Sequence, residues 1–130
     1  RMADRNKVKP WFPFLKLFDT ALRKVPIFKG TIWRAVSGNS SHDYEHNKVV
    51  IWWSINSCSK SLDVAEGFLK RAEESTLFII EAINGRDIAD YTMYRNEAEV
   101  VLGIGTRLRV ENVGFRYGNL HLIHMKQLDD

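Results

Sequence analysis

Two glutamates, Glu97 and Glu99, stand one residue apart in YRNEAEVVL, where a polar stretch runs into an apolar one. In extended backbone, positions i and i+2 share a face and lie ~6–7 Å apart. Two carboxylates so placed repel each other unless something cationic sits between them. A second odd charge is Arg34, inside the apolar strand pattern TIWRAV. It either turns to water, in alternation with Trp33 and Ala35, or holds an anion in a cleft. The third feature is a serine-rich turn behind an aromatic run, WWSINSCS, which carries Ser57 and Ser59. Spacing alone leaves each of these open between a solvated group and a site.

The remaining candidates are weaker. GIGTRL contains G-x-G, but between strands and with no helix to open, so its glycines read as turn residues. His42 and His46 are four apart in a Gly/Ser/Asn-rich stretch that does not suit a helix, so no metal site is expected there. His121 and His124 are three apart on one strand pattern and face opposite sides. Cys58 is the sole cysteine. It excludes an internal disulfide and, with no histidine placed beside it, reads as a buried, inert thiol.

The elements that must position these residues follow from periodicity. Phe14, Leu15, Phe18, Ala21, Leu22 and Val25 mark one stripe of an amphipathic helix over 11–25, which Pro26 stops. Residues 31–36 read as a strand, and 37–47 as a polar loop of a length often tied to function. KVVIWW (48–53) reads as a buried strand, and SINSCSKS (54–61) as a polar turn. Ser61 and Asp63 open a second helix with Val64, Ala65, Phe68, Leu69 and Ala72 facing inward. Strand patterns follow at 76–83, closed by the turn NGRD (84–87), then at 98–102, 106–113 and 119–128, with a loop at 89–96. This is an α+β pattern with a two-sheet core.

The 130 residues suit a single domain, 11–130, behind a flexible polar arm, 1–10. No apolar run reaches the ~20 residues of a membrane span. Residues 1–30 carry a net +6 and residues 31–130 a net −3. A basic arm is compatible with nucleic acid or acidic lipid, but a solvated helix face accounts for it as well. The opening residues lack a signal-peptide pattern, and with a single cysteine the expected home is cytoplasmic.

Order and context bring the three features together. The chain resembles the arginine–serine–glutamate branch of the ADP-ribosyltransferases, over residues 11–128. TIWRAV resembles the first motif, aromatic-Arg-Gly at a strand end. WWSINSCSKS resembles the second, aromatic-x-Ser-Thr-Ser. YRNEAEVVL resembles the third, an aromatic before Glu-x-Glu. STLFIIEAINGRDIADYT resembles the segment that precedes it. The chain departs from the pattern with Ala35 for glycine, Ile55 for the aromatic and Cys58 for threonine, and with one helix before Trp33 where many relatives have more.

The resemblance implies an ADP-ribosyltransferase-like fold: two antiparallel sheets in a split sandwich with flanking helices. It implies NAD as substrate, no metal, and transfer of ADP-ribose to an exposed arginine of an acceptor protein by a monomer that needs neither nucleic acid nor membrane. Arg34 would hold the NAD phosphates and ribose, and the Ala35 backbone would meet the nicotinamide amide. Ser57 would orient the catalytic glutamate, with Ser59 as the second serine of the motif. Glu99 would contact the nicotinamide ribose, Glu97 would serve transfer to arginine, and Tyr94 would meet the target. An NAD glycohydrolase using the same residues, or a non-catalytic binding module with a basic N-terminal face, are the alternatives. Poly-ADP-ribosylation is not expected, because that branch carries histidine and tyrosine where Arg34 and Ser57 stand.

Overall fold

Pro26, which cannot donate to a ladder, is followed at once by the first strand. The computed structural model describes residues 20–21, 24–63, 67, 73–88 and 99–129. Its strands are β1 (Ile27–Ser37), β2 (Val49–Trp52), β3 (Asn56–Ser59), β4 (Ser75–Asp87), β5 (Glu99–Leu102), β6 (Thr106–Tyr117) and β7 (Leu120–Gln127). β1 and β4 form the spine, antiparallel from Ile27↔Arg86 to Ser37↔Ser75. A register shift interrupts the pairing between Phe28 and Gly30, and Gly30 there has φ +148°.

The hydrogen-bonded order is β1-β3-β5-β4-β7-β6-β2, with β1 also bonded to β4. The strands β1, β3, β5 and β4 therefore close a ring. The expected pair of separate antiparallel sheets is corrected on two points. The strands form one continuous network, and β4 runs parallel to β7 from Ser75↔Leu120 to Glu81↔Lys126. The link is β4 itself. Its first half serves β7, and its far end, Arg86 and Asp87, serves β5.

That double duty explains a second correction. NGRD was expected to turn, yet β4 continues through it to Asp87. Gly85 makes this possible, because a Cβ there would lie 2.6 Å from Val100 Cγ1 on β5. A third correction concerns 54–61, expected as a polar turn. Asn56–Ser59 is the strand β3, paired with β5 and β1. Its polar composition hid it, since one face of β3 is a site wall and Cys58 is its one core residue.

Alternation along the strands sorts two apolar clusters. Ile32, Cys58, Phe78, Ile80, Val100, Leu102, Leu108, Val110, Ile123 and Met125 belong to the main core. Each large aliphatic side chain fully buried in it contributes about 1.5–3 kcal/mol. A smaller cluster, Leu77 and Leu120 with Trp33, Ala35, Ile79 and Leu122, is built from alternate positions on the same strands. His124 lies with Leu122 against an open apolar hollow, while Ile123 and Met125 enter the main core, as the opposite-face reading of β7 requires.

Most of both expected helices, 11–25 and 61–72, lies outside the described residues, as does the arm 1–10. Thr20, Ala21, Asp63 and Gly67 have helical backbone. Among the described residues no α-helix is formed as a complete element, so the flanking helices are not part of the fold described here. Among the described residues the one complete helical element is a single 3-10 turn, Ser41–Asp43, in the polar loop after β1. No described helix is long and apolar enough to cross a membrane.

Candidate active site

The site begins with register. Trp33 pairs with Ser59, which brings Arg34 against β3. The Arg34 Nη1 group donates to the Ser57 carbonyl oxygen at 2.7 Å. On the far side of β3, Ser57 pairs with Val101 and Ser59 with Glu99. The Ser57 hydroxyl donates to Glu99 Oε2. One serine thus holds the arginine through its carbonyl and the glutamate through its hydroxyl. A guanidinium has five N–H donors. Using one on Ser57 fixes its position and leaves the others for an anion.

Arg34 and Glu99 are half-buried and Ser57 is exposed, so the line is open to solvent. Ser59 is half-buried, and its hydroxyl accepts from the Ser61 backbone at 3.0 Å, which shapes the chain leaving β3. Cys58, between the two serines, points into the main core and is 5% exposed. Burial pushes its thiol up to about 12, with Glu99 adding to the rise and Arg34 opposing it. A protonated thiol there is inert, as expected.

Ala35 sits beside Arg34 but carries its side chain to the smaller apolar cluster. Tyr94 and Glu97 lie outside the described residues. The two glycines of GIG form the turn expected of them, Gly105 with φ +82°. His42 stands in the 3-10 turn, its Nε2 3.7 Å from Asp43 Oδ1, and His46 is exposed in the same loop. Among the described residues, no three His, Cys, Asp or Glu side chains gather in a metal-sized group.

The sequence did not reveal how the polar loop after β1 is held. Thr76 on β4 donates its hydroxyl to the Gly38 carbonyl at 2.7 Å and accepts from the Ser40 amide at 3.0 Å. This clasps the polar loop to the spine. Tyr44, further along the loop, turns inward. Its ring meets Phe78 edge-on with centroids 5.2 Å apart, and Trp52 meets the same ring at 5.4 Å. The Trp52 indole N–H donates to the Tyr44 hydroxyl at 3.2 Å. Phe78 is the cross-strand partner of Arg34. Phe78 therefore stands beside the arginine, with Tyr44 and Trp52 packed against it in the main core. The available signal was Tyr44 itself, the one aromatic among Gly, Ser, Asn and charged residues in 37–47.

This arrangement of strands is shared with solved structures. The Vis toxin, an ADP-ribosyltransferase from Vibrio splendidus, superposes with a TM-score of 0.72 over 99% of this chain at 22% identity. The ADP-ribosyltransferase HopU1 of Pseudomonas syringae pv. tomato gives 0.70 over 84% at 20% identity. The chain has the ADP-ribosyltransferase fold. Exoenzyme S from Pseudomonas aeruginosa, solved bound to carba-NAD, is similar at a TM-score of 0.68 over 86% of the chain and 19% identity. The chain spans 64% of the length of Vis, 49% of HopU1 and 57% of the exoenzyme S chain. No protein-family model and no curated protein matches its sequence.

Proposed function

We propose that this chain transfers ADP-ribose from NAD to an arginine side chain of an acceptor protein, with release of nicotinamide. The observation that carries the reading is the Arg34–Ser57–Glu99 line, in which one solvent-exposed strand residue holds a cation and a carboxylate. The order of the three motifs along the chain and the shared fold support it. Vis has also been solved with agmatine, a small guanidine, and exoenzyme S with an NAD analogue.

The chemistry assigns each group a task. The free N–H groups of Arg34 suit phosphate oxygens of the dinucleotide, which its planar fork can grip in pairs. When the C1′–N bond to nicotinamide breaks, the electron pair leaves with the ring and positive charge develops on the ribose. A fixed carboxylate beside that carbon lowers the barrier. Glu99 takes this role, and Ser57 holds it still. The acceptor guanidine nitrogen then bonds to C1′ and must lose a proton. An arginine with a pKa above ~12 needs a base at the transition state. Glu97 supplies it.

Incubation with labelled NAD and an arginine-rich acceptor tests the reading. Label should pass to the acceptor while nicotinamide appears in equal amount. Glu99→Ala should abolish both signals. Glu97→Ala should lose transfer and keep part of the nicotinamide release. Nicotinamide release with no labelled acceptor would make the chain an NAD glycohydrolase. The absence of both NAD binding and nicotinamide release would leave a binding module.

A further inference from the structure

Glu99 is the first residue of a short strand, Glu99–Leu102. Its backbone is held from two sides by the ends of other strands. Ser59, the last residue of β3, pairs with it in register. Ile88, the first residue after β4, donates its amide to the Glu99 carbonyl at 3.2 Å. The pairing of β5 with β4 is otherwise Arg86↔Val101 and Asp87↔Val100. With so short a ladder, the Glu99 end depends on how these two chain ends are kept together.

An ion pair joins them. Lys60 follows Ser59, and Asp87 precedes Ile88. The Lys60 ammonium donates to Asp87 Oδ2 at 2.7 Å. The two side chains are 30% and 28% exposed, so water and salt screen the pair less than they screen a surface one. Both residues also reach the chain entering β1. Lys60 Nζ lies 5.7 Å from the centroid of the Phe28 ring, and the Asp87 amide donates to the Pro26 carbonyl at 3.0 Å. The pair therefore spans the two flanks of β5 at the end where Glu99 stands.

The bond between Ser57 and Glu99 is sensitive to that frame. Ser57 is two residues before Ser59, and its hydroxyl reaches the Glu99 carboxylate diagonally across the β3–β5 ladder. A shift of ~1 Å carries a hydrogen bond of ordinary length out of range. We propose that Lys60 and Asp87 are positioning residues for Glu99: their ion pair holds the ends of β3 and β4 together on either side of β5, and so keeps the Glu99 carboxylate where the Ser57 hydroxyl donates to it. This deepens the functional reading above and rests on the role that reading gives Glu99.

Steady-state nicotinamide release from NAD by the full chain, with urea unfolding of each variant beside it, tests the proposal. Lys60→Met removes the charge and keeps most of the stem. The kcat should fall about threefold to tenfold, the size of one weakened hydrogen bond, with the KM for NAD within about twofold. Asp87→Asn should do the same, and the two changes together should cost no more than either alone, because they break one bond. Lys60→Arg keeps a cation that reaches Asp87 and should hold kcat within about twofold. The deciding measurement is Lys60→Met in a Ser57→Ala background. With the hydroxyl already gone, loss of the pair should lower kcat no further. If Lys60→Met does not fold, Asp87→Asn, which keeps the shape of the side chain, carries the same test.

If the variants lose stability in urea but keep kcat, the pair serves the fold alone and the inference falls, with the functional reading intact. If Lys60→Met multiplies the loss in Ser57→Ala, the pair acts by another route and the positioning role is overturned. If the unaltered chain releases no nicotinamide from NAD, the functional reading falls and takes this one with it.

Discussion

Ser57 donates its hydroxyl to Glu99 across the β3–β5 pair while its carbonyl receives Arg34. The two charged groups of the site are thereby tied through one small residue, so the position of each depends on the backbone of β3. A carboxylate on its own would sample several rotamers; this one has a fixed donor.

Ser57→Ala removes that donor and leaves the carbonyl in place. Because Arg34 keeps its anchor, the KM for NAD should stay near its original value. The nicotinamide-release kcat should fall by about tenfold to a hundredfold, the range for a lost hydrogen bond to a charged group. Ser57→Thr, which keeps a hydroxyl, should recover much of it. A fall in Ser57→Ala confined to KM would contradict the role given to Glu99.

Arg34→Lys keeps the charge and loses the fork. Lysine is a point donor and cannot both hold the Ser57 carbonyl and present a planar pair to phosphate. NAD affinity should weaken by roughly tenfold or more, with pyrophosphate affinity following it. Titration calorimetry on both ligands measures this, and equal affinity in the variant would remove the argument from geometry.

Cys58 makes stability depend on alkaline pH. Its thiol is raised from 9.0 to about 12 in the fold, chiefly by burial. The group is protonated in both states below pH 9, so its contribution is complete there. Above that, the unfolded chain gives up the proton first, and stability falls as pH rises toward 12. Urea unfolding at a series of pH values should show this decline, and Cys58→Ala should flatten it. In the native protein the thiol should resist alkylation at pH 8 and react only after unfolding.

Gly85→Ala probes the strand that replaced a turn. The new Cβ would stand 2.6 Å from Val100 Cγ1, a contact that something must yield to relieve. Overpacking of this kind costs about 1–3 kcal/mol. The shift in urea midpoint measures it. Val100→Ala should return part of the loss in the double variant, because it removes the atom in the way. Additive losses would show that the two positions do not meet.

The sequence by itself was enough to order the arginine, serine and glutamate motifs, to mark β1, β2 and the last three strands by apolar alternation, and to read Cys58 as inert and GIG as a turn. Those features are local: side-chain type and a period of two reveal them without knowledge of any partner strand. Tertiary structure alone decided the rest. The polar run 56–59 becomes a strand because β1 and β5 supply its hydrogen bonds from either side. NGRD stays extended because Gly85 admits Val100 from β5. Tyr44 leaves a polar loop for the core because Phe78, distant in sequence, and Trp52 build a slot for it. Each of these rests on contacts made across the chain, which composition and spacing do not encode.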